Sequence, residues 1–318
     1  MSSLGDVLLT TPLLRSLKKQ NPEIQIDFIV KKQFADALRF NPHVSNLFEY
    51  DSTQEKNNFG LPDFSNTKYD LVIDLQNNLR SLKIRRQVNA PLVKFHKPNL
   101  AKFLLVNFKI NLLKEKTPIT ARYSNSIEGL ELDEKGLELH TNNQPDIRLQ
   151  NGTNYVGFCP GAKHFTKQWL KEYFVELGNL LTKENYTVLL FGGKDDRKLC
   201  KEISNEINSS IDLSNDDELL QTAADMKICK MIVCNDSGLM HTACAVGIPV
   251  TVIFGSTVQE FGFAPYNTPN LILENKSLFC RPCSHIGRES CPKEHFKCMK
   301  EIVPQQALRE ILQFIKSK

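Results

Sequence analysis

A chain of 318 residues with 41% hydrophobic content exceeds one ordinary domain and carries enough apolar side chains for a sizeable core. Its 40 basic and 36 acidic residues leave a formal charge of +4, a mild excess that suits phosphorylated ligands or an anionic membrane surface better than general nucleic-acid binding. No apolar run approaches the ~20 residues that span a bilayer, and the N-terminus lacks the basic and apolar regions of a secretory signal, so a cytoplasmic protein is expected.

The chain opens on Ser2-Ser3-Leu4-Gly5-Asp6, followed by a helical pattern from Val7 to Lys19. A Gly-Asp turn that opens a helix normally follows a buried strand, yet only Met1 to Leu4 precede it. The expectation is that a first strand is missing or that the sheet is completed differently. Asp6 puts a carboxylate at a helix start, where it serves either as a general base or as a cap. Ile24 to Val30 and Tyr69 to Asp74 read as strands, and Gln33 to Phe40, Leu79 to Gln87 and Leu100 to Leu113 as helices. After the second strand, Asp74, Gln76, Asn78 and Arg80 offer ligands for hydroxyls and anions. Arg80, Lys83, Arg85 and Arg86 either hold an acidic acceptor or form a solvated helix face.

Between Leu130 and Asn151 the pattern turns polar, with Asn142-Asn143-Gln144-Pro145-Asp146 and Asn151-Gly152 as breakers. The expected domains are 1–150 and 151–303, with a helix over 304–318 packing back towards the N-terminal domain. The second half restarts the alternation, with strands at Tyr155 to Cys159, Thr187 to Phe191, Met231 to Asn235, Val250 to Phe254 and Leu271 to Glu274. Helices are expected at Lys167 to Thr182, Asp195 to Ile207, Asp216 to Ala224, Leu239 to Val246 and Gln305 to Ile315. Such alternation predicts an α/β protein with parallel sheets.

Four loops at strand ends carry the chemistry. Asp236-Ser237-Gly238-Leu239-Met240-His241 joins an apolar strand to a small-residue helix, so its backbone N–H groups are placed for a diphosphate, and Gly238 permits close approach. Asp236 or Ser237 serves equally well as an N-cap, and a histidine at that position is more often a packing residue. Ser256 and Thr257 end the next strand on the same edge, as donors or as a connecting turn. In Pro160-Gly161-Ala162-Lys163-His164-Phe165-Thr166-Lys167-Gln168-Trp169, Thr166 caps a helix. Lys167 sits where the helix dipole disfavours a cation, a cost that an anionic ligand would offset. Gly192, Lys194 and Asp196 present backbone and carboxylate to ribose hydroxyls, or form a capped turn. Four such ends together predict a cleft at the carboxyl edge of the sheet.

A last cluster, Cys280-x2-Cys283 with Cys291 and Cys298, holds four thiolates, enough for a tetrahedral structural zinc; free or disulfide-bonded thiols are the alternative. A zinc-dependent nucleic-acid binder would need a concentrated basic surface, which the dispersed lysines do not supply.

The start Ser3 to Pro12, the Pro-Gly-Ala loop with Lys-x-Trp at Pro160 to Trp169, the Asp-Ser-Gly-x-x-His segment and the late cysteine stretch together resemble the heptosyltransferases of glycosyltransferase family 9. The resemblance implies a GT-B architecture, two Rossmann-like domains with parallel sheets facing across a cleft. Acceptor would lie on the N-terminal domain and nucleotide sugar on the C-terminal one. It implies an inverting transfer with no cofactor and no catalytic metal. Asp6 would be the general base, Lys167 would contact the donor phosphates, Asp236 would accept sugar hydroxyls, and Gly238 and His241 would line the diphosphate. The usual substrates are ADP-heptose and the Kdo or heptose of the lipopolysaccharide inner core, a lipid-linked acceptor at the cytoplasmic membrane face, with no nucleic acid involved. The alternatives are a sugar-nucleotide-binding protein without a working base and a family member that uses another nucleotide sugar or acceptor.

Overall fold

The computed structural model describes residues 3–51, 53–54, 60–113, 115–150 and 152–317. Ser2 and Asn151, which belong to the predicted opening motif and domain boundary, lie outside them.

The predicted helix from Val7 to Lys19 is two helices, α1 (Leu4–Leu8) and α2 (Thr11–Gln20). Pro12 lacks the N–H that a continuing helix would need and instead sits in the first turn of α2. Next come β1 (Asp27–Lys31), a 3-10 turn over Lys32–Ala37 in place of the predicted helix, and β2 (Asn46–Tyr50). The run continues with β3 (Val72–Asp74), α3 (Leu79–Arg85), β4 (Leu92–Lys94), α4 (Asn99–Phe108) and α5 (Ile119–Ser124). Among the described residues these strands form two separate parallel pairs, β1 with β2 and β3 with β4. A cleft lies between the pairs, lined by Asp27, Phe28 and Ile29 of β1 and by Val72, Ile73 and Asp74 of β3. Side chains of consecutive strand residues point to opposite faces, so a cleft that meets three in a row runs along the strand edge.

The second half holds β5 (Tyr155–Cys159), α6 (Lys171–Lys183), β6 (Thr187–Leu190), α7 (Arg197–Glu206), β7 (Ser210–Asp212), α8 (Leu219–Met226) and β8 (Cys229–Asn235). It ends with α9 (Gly238–Ala245), β9 (Val250–Phe254), β10 (Asn270–Glu274), α10 (Lys297–Lys300) and α11 (Pro304–Lys316). Six parallel strands lie in the order β10-β9-β8-β5-β6-β7, so the chain moves outward from β5 and then returns to its other side. That reversal is a doubly wound sheet, whose ligands bind beyond the carboxyl ends of the central strands. Both faces are covered: Val156 and Phe158 of β5 pack with Trp169, Phe174 and Leu177, while Tyr155 and Cys159 join the core shared with Val7, Leu8 and Leu9. Strands buried on both faces read as continuous apolar runs, which made these the most legible elements.

Helix α11 does not return to the N-terminal half as predicted. Its apolar stripe, Ala307 and Ile311 with Leu308 and Phe314 beside them, completes the core around Phe174, Leu177 and Leu181 of α6. Burial there is already available at Pro304, two residues after Ile302, whose carbonyl accepts from Trp169 Nε1 at 2.9 Å.

The polar stretch between the halves is held by charge. Arg15 of α2 forks onto Asp133, donates to Glu138 at 2.8 Å and reaches the carbonyls of Lys135 and Gly136. These carboxylates raise the pKa of the largely buried guanidinium, with Asp133 contributing most. Leu139 N–H then donates to Ala245 O, which ties the same segment to the end of α9.

Candidate functional site

The four predicted loops follow β9, β8, β5 and β6, which are neighbours in the sheet, so the topology gathers them on one edge. Asn235, at the end of β8, accepts from Trp169 N–H and donates to Pro160 O at 2.7 Å, fastening the Pro160–Trp169 loop beside α9. Lys167 Nζ then lies 2.7 Å from Asp236 Oδ2, and Thr257 Oγ1 donates to the same oxygen at 2.7 Å. Three residues read from three loops thus meet at one point.

Helix α9 begins there without a side-chain cap. Its N-terminal N–H groups carry the positive end of the helix dipole. Beside them, Ser237 Oγ and His241 Nδ1 are buried and without a hydrogen-bond partner. Buried polar atoms are almost always paired, so these two stand out, and both can donate to acceptor oxygens at the helix N-terminus. Burial pushes the His241 pKa down to about 4, against the pull of Asp236, so near neutrality its ring is uncharged and offers one N–H.

Helix α1 packs directly on this start of α9. A Cβ on Gly5 would stand 2.7 Å from His241 Cδ2, and one on Gly238 would stand 3.3 Å from Leu4 Cδ2. Two glycines therefore set the approach of the helices, and Asp6, half-buried on α1, is held on the helix that packs against α9. Ser3 Oγ accepts from Asp6 N–H at 3.2 Å and donates to Asp6 Oδ2 at 2.7 Å, so Asp6 is part of a helix cap and keeps Oδ1 for other work.

Sequence reasoning missed two cations on the same side. Lys102 of α4 stands 5.6 Å above the Phe263 ring. Burial, then Arg122 and Lys97, lowers its pKa, while Asp6 raises it. Arg122 donates to the carbonyls of Glu260 and Phe261, joining α5 to the segment after β9. A lysine inside the apolar run Leu100 to Leu113 was the available signal.

Other predicted donor residues take different parts. Thr166 and Ser256 turn inward: Thr166 Oγ1 donates to Ser256 Oγ at 2.9 Å and accepts from Arg288 N–H at 2.8 Å. Their hydroxyls are used in holding two loops together, because both residues are buried below the cleft. Asp196 lies against Gly161, where a Cβ would come within 2.2 Å of its carboxyl, and burial, then Asp195, raises its pKa. Gly192 packs on Cys200 and Asp196, and Lys194 is exposed, with its N–H on Asp217 Oδ1.

The predicted acceptor residues Asp74, Gln76, Asn78 and Arg80 all line the cleft between the strand pairs, three of them also bonded within their own turn. Asp74 is buried and spent: it accepts from the N–H groups of Gln76 and Asn77, from Ser81 Oγ and from Arg85 at 2.9 Å. Asn78 forms a capping box with Ser81 at the start of α3. Short polar side chains after a strand serve the turn first, which is why these residues mimic a site in sequence. Gln76 accepts from Asn78 Nδ2 at 3.5 Å within the same turn. Arg80 faces the same cleft, 5.8 Å from the centre of the Tyr50 ring, with Nε buried and without a partner.

Of the predicted zinc ligands, Cys280, Cys283 and Cys291 all lie near enough to Cys298 to act on its thiol's charge. Among the described residues no three His, Cys, Asp or Glu side chains converge to hold a metal. Cys298 packs into the core with Met299, and burial pushes its thiol up to about 12. Cys280 faces His295 at 3.9 Å, and Cys283 N–H is tied to Ser256 O. Arg281 fixes this loop to the donor turn, donating to the carbonyls of Phe254, Gly255 and Thr257 and pairing with Glu274.

Similarity to known proteins extends over most of the chain. A sequence profile described as glycosyltransferase family 9 (heptosyltransferase) matches residues 63–293. Lipooligosaccharide heptosyltransferase 2 of Campylobacter jejuni subsp. jejuni serotype O:6 is 32% identical over 174 residues, 53% of this chain and 54% of the relative. The chain thus spans about half the length of this curated relative. A glycosyl transferase family 9 structure from Veillonella parvula superposes with a TM-score of 0.80 at 22% identity, over 100% of this chain and 96% of that one. The Escherichia coli ADP-heptose lps heptosyltransferase II superposes at 0.74 with 19% identity, over 100% and 97%. At these identities the two structures speak for the fold, an α/β GT-B architecture.

Proposed function

Because the chain belongs to glycosyltransferase family 9, the heptosyltransferase family, we propose that it transfers heptose from ADP-heptose to the Kdo or heptose of a lipopolysaccharide inner core, with inversion and without a catalytic metal. The observation that carries this reading is the orphaned pair Ser237 Oγ and His241 Nδ1 at the uncapped start of α9, beside Lys167 and opposite Asp6.

In this reading the donor diphosphate lies on the N-terminus of α9. Neutral His241 and Ser237 donate to its oxygens, and Lys167 leaves or shares Asp236 to balance the charge that grows as ADP departs. Asp236, relieved of that pairing, accepts hydroxyls of the sugar. Asp6 Oδ1 takes the proton of the acceptor hydroxyl, whose oxygen attacks the anomeric carbon from the face opposite the phosphate. One C–O bond forms as the C–O bond to phosphate breaks, and the configuration inverts. Lys102 and Arg122 give that side of the cleft a positive lining suited to an acidic acceptor sugar.

The test is incubation with ADP-heptose and a heptose-deficient inner core, read as the mass gain of one heptose and the release of ADP. Thermal-shift titration with ADP-, GDP- and UDP-sugars runs beside it, since a ligand of the folded state raises stability by mass action. Stabilisation by a GDP- or UDP-sugar alone, with no transfer from ADP-heptose, overturns the donor assignment.

A further inference from the structure

Helix α4 departs from the rule for a helix at a protein surface. Seven of its ten residues, in the sequence NLAKFLLVNF, are apolar, yet only Leu105 is buried. A helix apolar around most of its circumference ordinarily belongs inside a core or in lipid. Here Leu100, Phe103 and Phe108 are 70%, 54% and 61% exposed, and the two phenyl rings pack edge to face at 6.0 Å out in solvent. The patch continues past the helix through exposed Ile110 and Leu112. A second segment joins it. Lys109 Nζ donates to the carbonyls of Cys280 at 3.2 Å and Pro282 at 2.6 Å, which fastens the loop bearing Phe279, 85% exposed, to the end of α4. Contiguous exposed apolar surface of this kind marks an interaction site.

Charge identifies the partner. Residues 91–113 contain Lys94, Lys97, Lys102 and Lys109 and no aspartate or glutamate, in a chain that holds 36 acids overall. Lys94 and Lys97 are exposed at the start of the patch. A second copy of the chain would bring lysines against lysines in a two-fold pairing, at a cost that an anionic surface turns into a gain. An amphipathic surface with large apolar side chains and a cationic rim is the form that lies in a bilayer interface. The patch is also well placed, for Lys102 on the same helix stands over Phe263 and feels the charge of Asp6.

We propose that α4, with Leu112 and Phe279, is a membrane-docking surface that seats the rim of the cleft on a bilayer rich in anionic lipid. The phenyl rings enter the acyl boundary, and Lys94 and Lys97 meet the headgroups. Vesicle binding requires neither donor nor acceptor, so this surface and the transferase reading fail separately.

Sedimentation of the full chain with phosphatidylcholine vesicles, with and without phosphatidylglycerol, is the test. The parent binds the anionic vesicles and keeps part of that binding in high salt. Phe103→Ser, Phe108→Ser and Phe279→Ser each lower the partition coefficient by about ten-fold, with the thermal midpoint unchanged because these side chains are exposed. Lys94→Glu with Lys97→Glu weakens binding to the anionic vesicles alone. Absence of parent binding, or equal binding by parent and Phe variants, overturns the proposal. A dimer that Phe103→Ser dissociates, with no vesicle binding, assigns the patch to a second copy and overturns it as well.

Discussion

The two halves of the molecule wind their strands in the same sense but bury them differently. In the C-terminal half the order β7-β6-β5-β8-β9 is unbroken, and every residue of β5 and β9 is buried. In the N-terminal half β2-β1 and β3-β4 stand as pairs on either side of a cleft, and the equally apolar Phe28-Ile29-Val30 of β1 is mostly half-buried. Composition is alike, so the difference comes from how many neighbours a strand has. Burial, and with it local stability, is a property of the neighbourhood. The same division separates the proposed roles, since the completed half holds the orphaned anion site and the open half brings Asp6.

The sharpest way to break that division is Asp6→Ala. Transfer should fall by about 10²- to 10⁴-fold while donor affinity stays within about two-fold, because the base acts on the acceptor side alone. Kinetics beside donor titration calorimetry check it, and unchanged turnover would remove Asp6 from the chemistry.

Packing gives the next contrast. Phe158→Ala in β5 should cost about 3–5 kcal/mol, whereas Ile73→Ala in half-buried β3 should cost only about 1 kcal/mol. Equal shifts in urea denaturation would show the two halves to be one cooperative core.

His241 offers a pH test confined to the meeting of the halves. Its folded pKa of about 4 lies below the ordinary 6.5, so the unfolded chain binds more protons between these values. Stability is therefore present in full above about pH 6.5 and falls as pH drops towards 4, by roughly 3 kcal/mol at most. Denaturation curves at pH 7, 5.5 and 4 should show this slope, and His241→Asn should flatten it.

The smallest effect expected is on the donor side. Lys167→Ala should weaken ADP-sugar binding by about 10- to 100-fold, since it removes a charge-assisted contact but leaves the α9 backbone in place. Identical titrations for variant and parent would refute that role.

The C-terminal half was legible because its strands are apolar runs that end in Gly- and Ser-containing turns. Tyr155–Cys159 and Val250–Phe254 are found as predicted. Short or polar strands were missed, among them Asn46–Tyr50, Leu92–Lys94 and Ser210–Asp212, since three to five residues carry too little periodicity to read. The predicted helix over Leu100 to Leu113 stops at Phe108, where Lys109 turns to a φ of 60°, a change of hand that no residue type there announces. Within the site, Lys167 reads in sequence as a cation at a helix start, yet α6 begins only at Lys171 with Leu170 at its cap, and Lys167 closes the 3-10 turn Phe165–Lys167 before it. Asp74 could not be told from a ligand, because the hydrogen bonds that consume it come from its own turn and from Arg85, eleven residues away.

The contact of Gly5 with His241 and of Gly238 with Leu4 has a mechanical consequence. Where two helices touch through glycines, and the leucines beside them share one core with β5, the contact leaves no slack. The spacing between Asp6 and the start of α9 is then set by close packing on both sides of that contact.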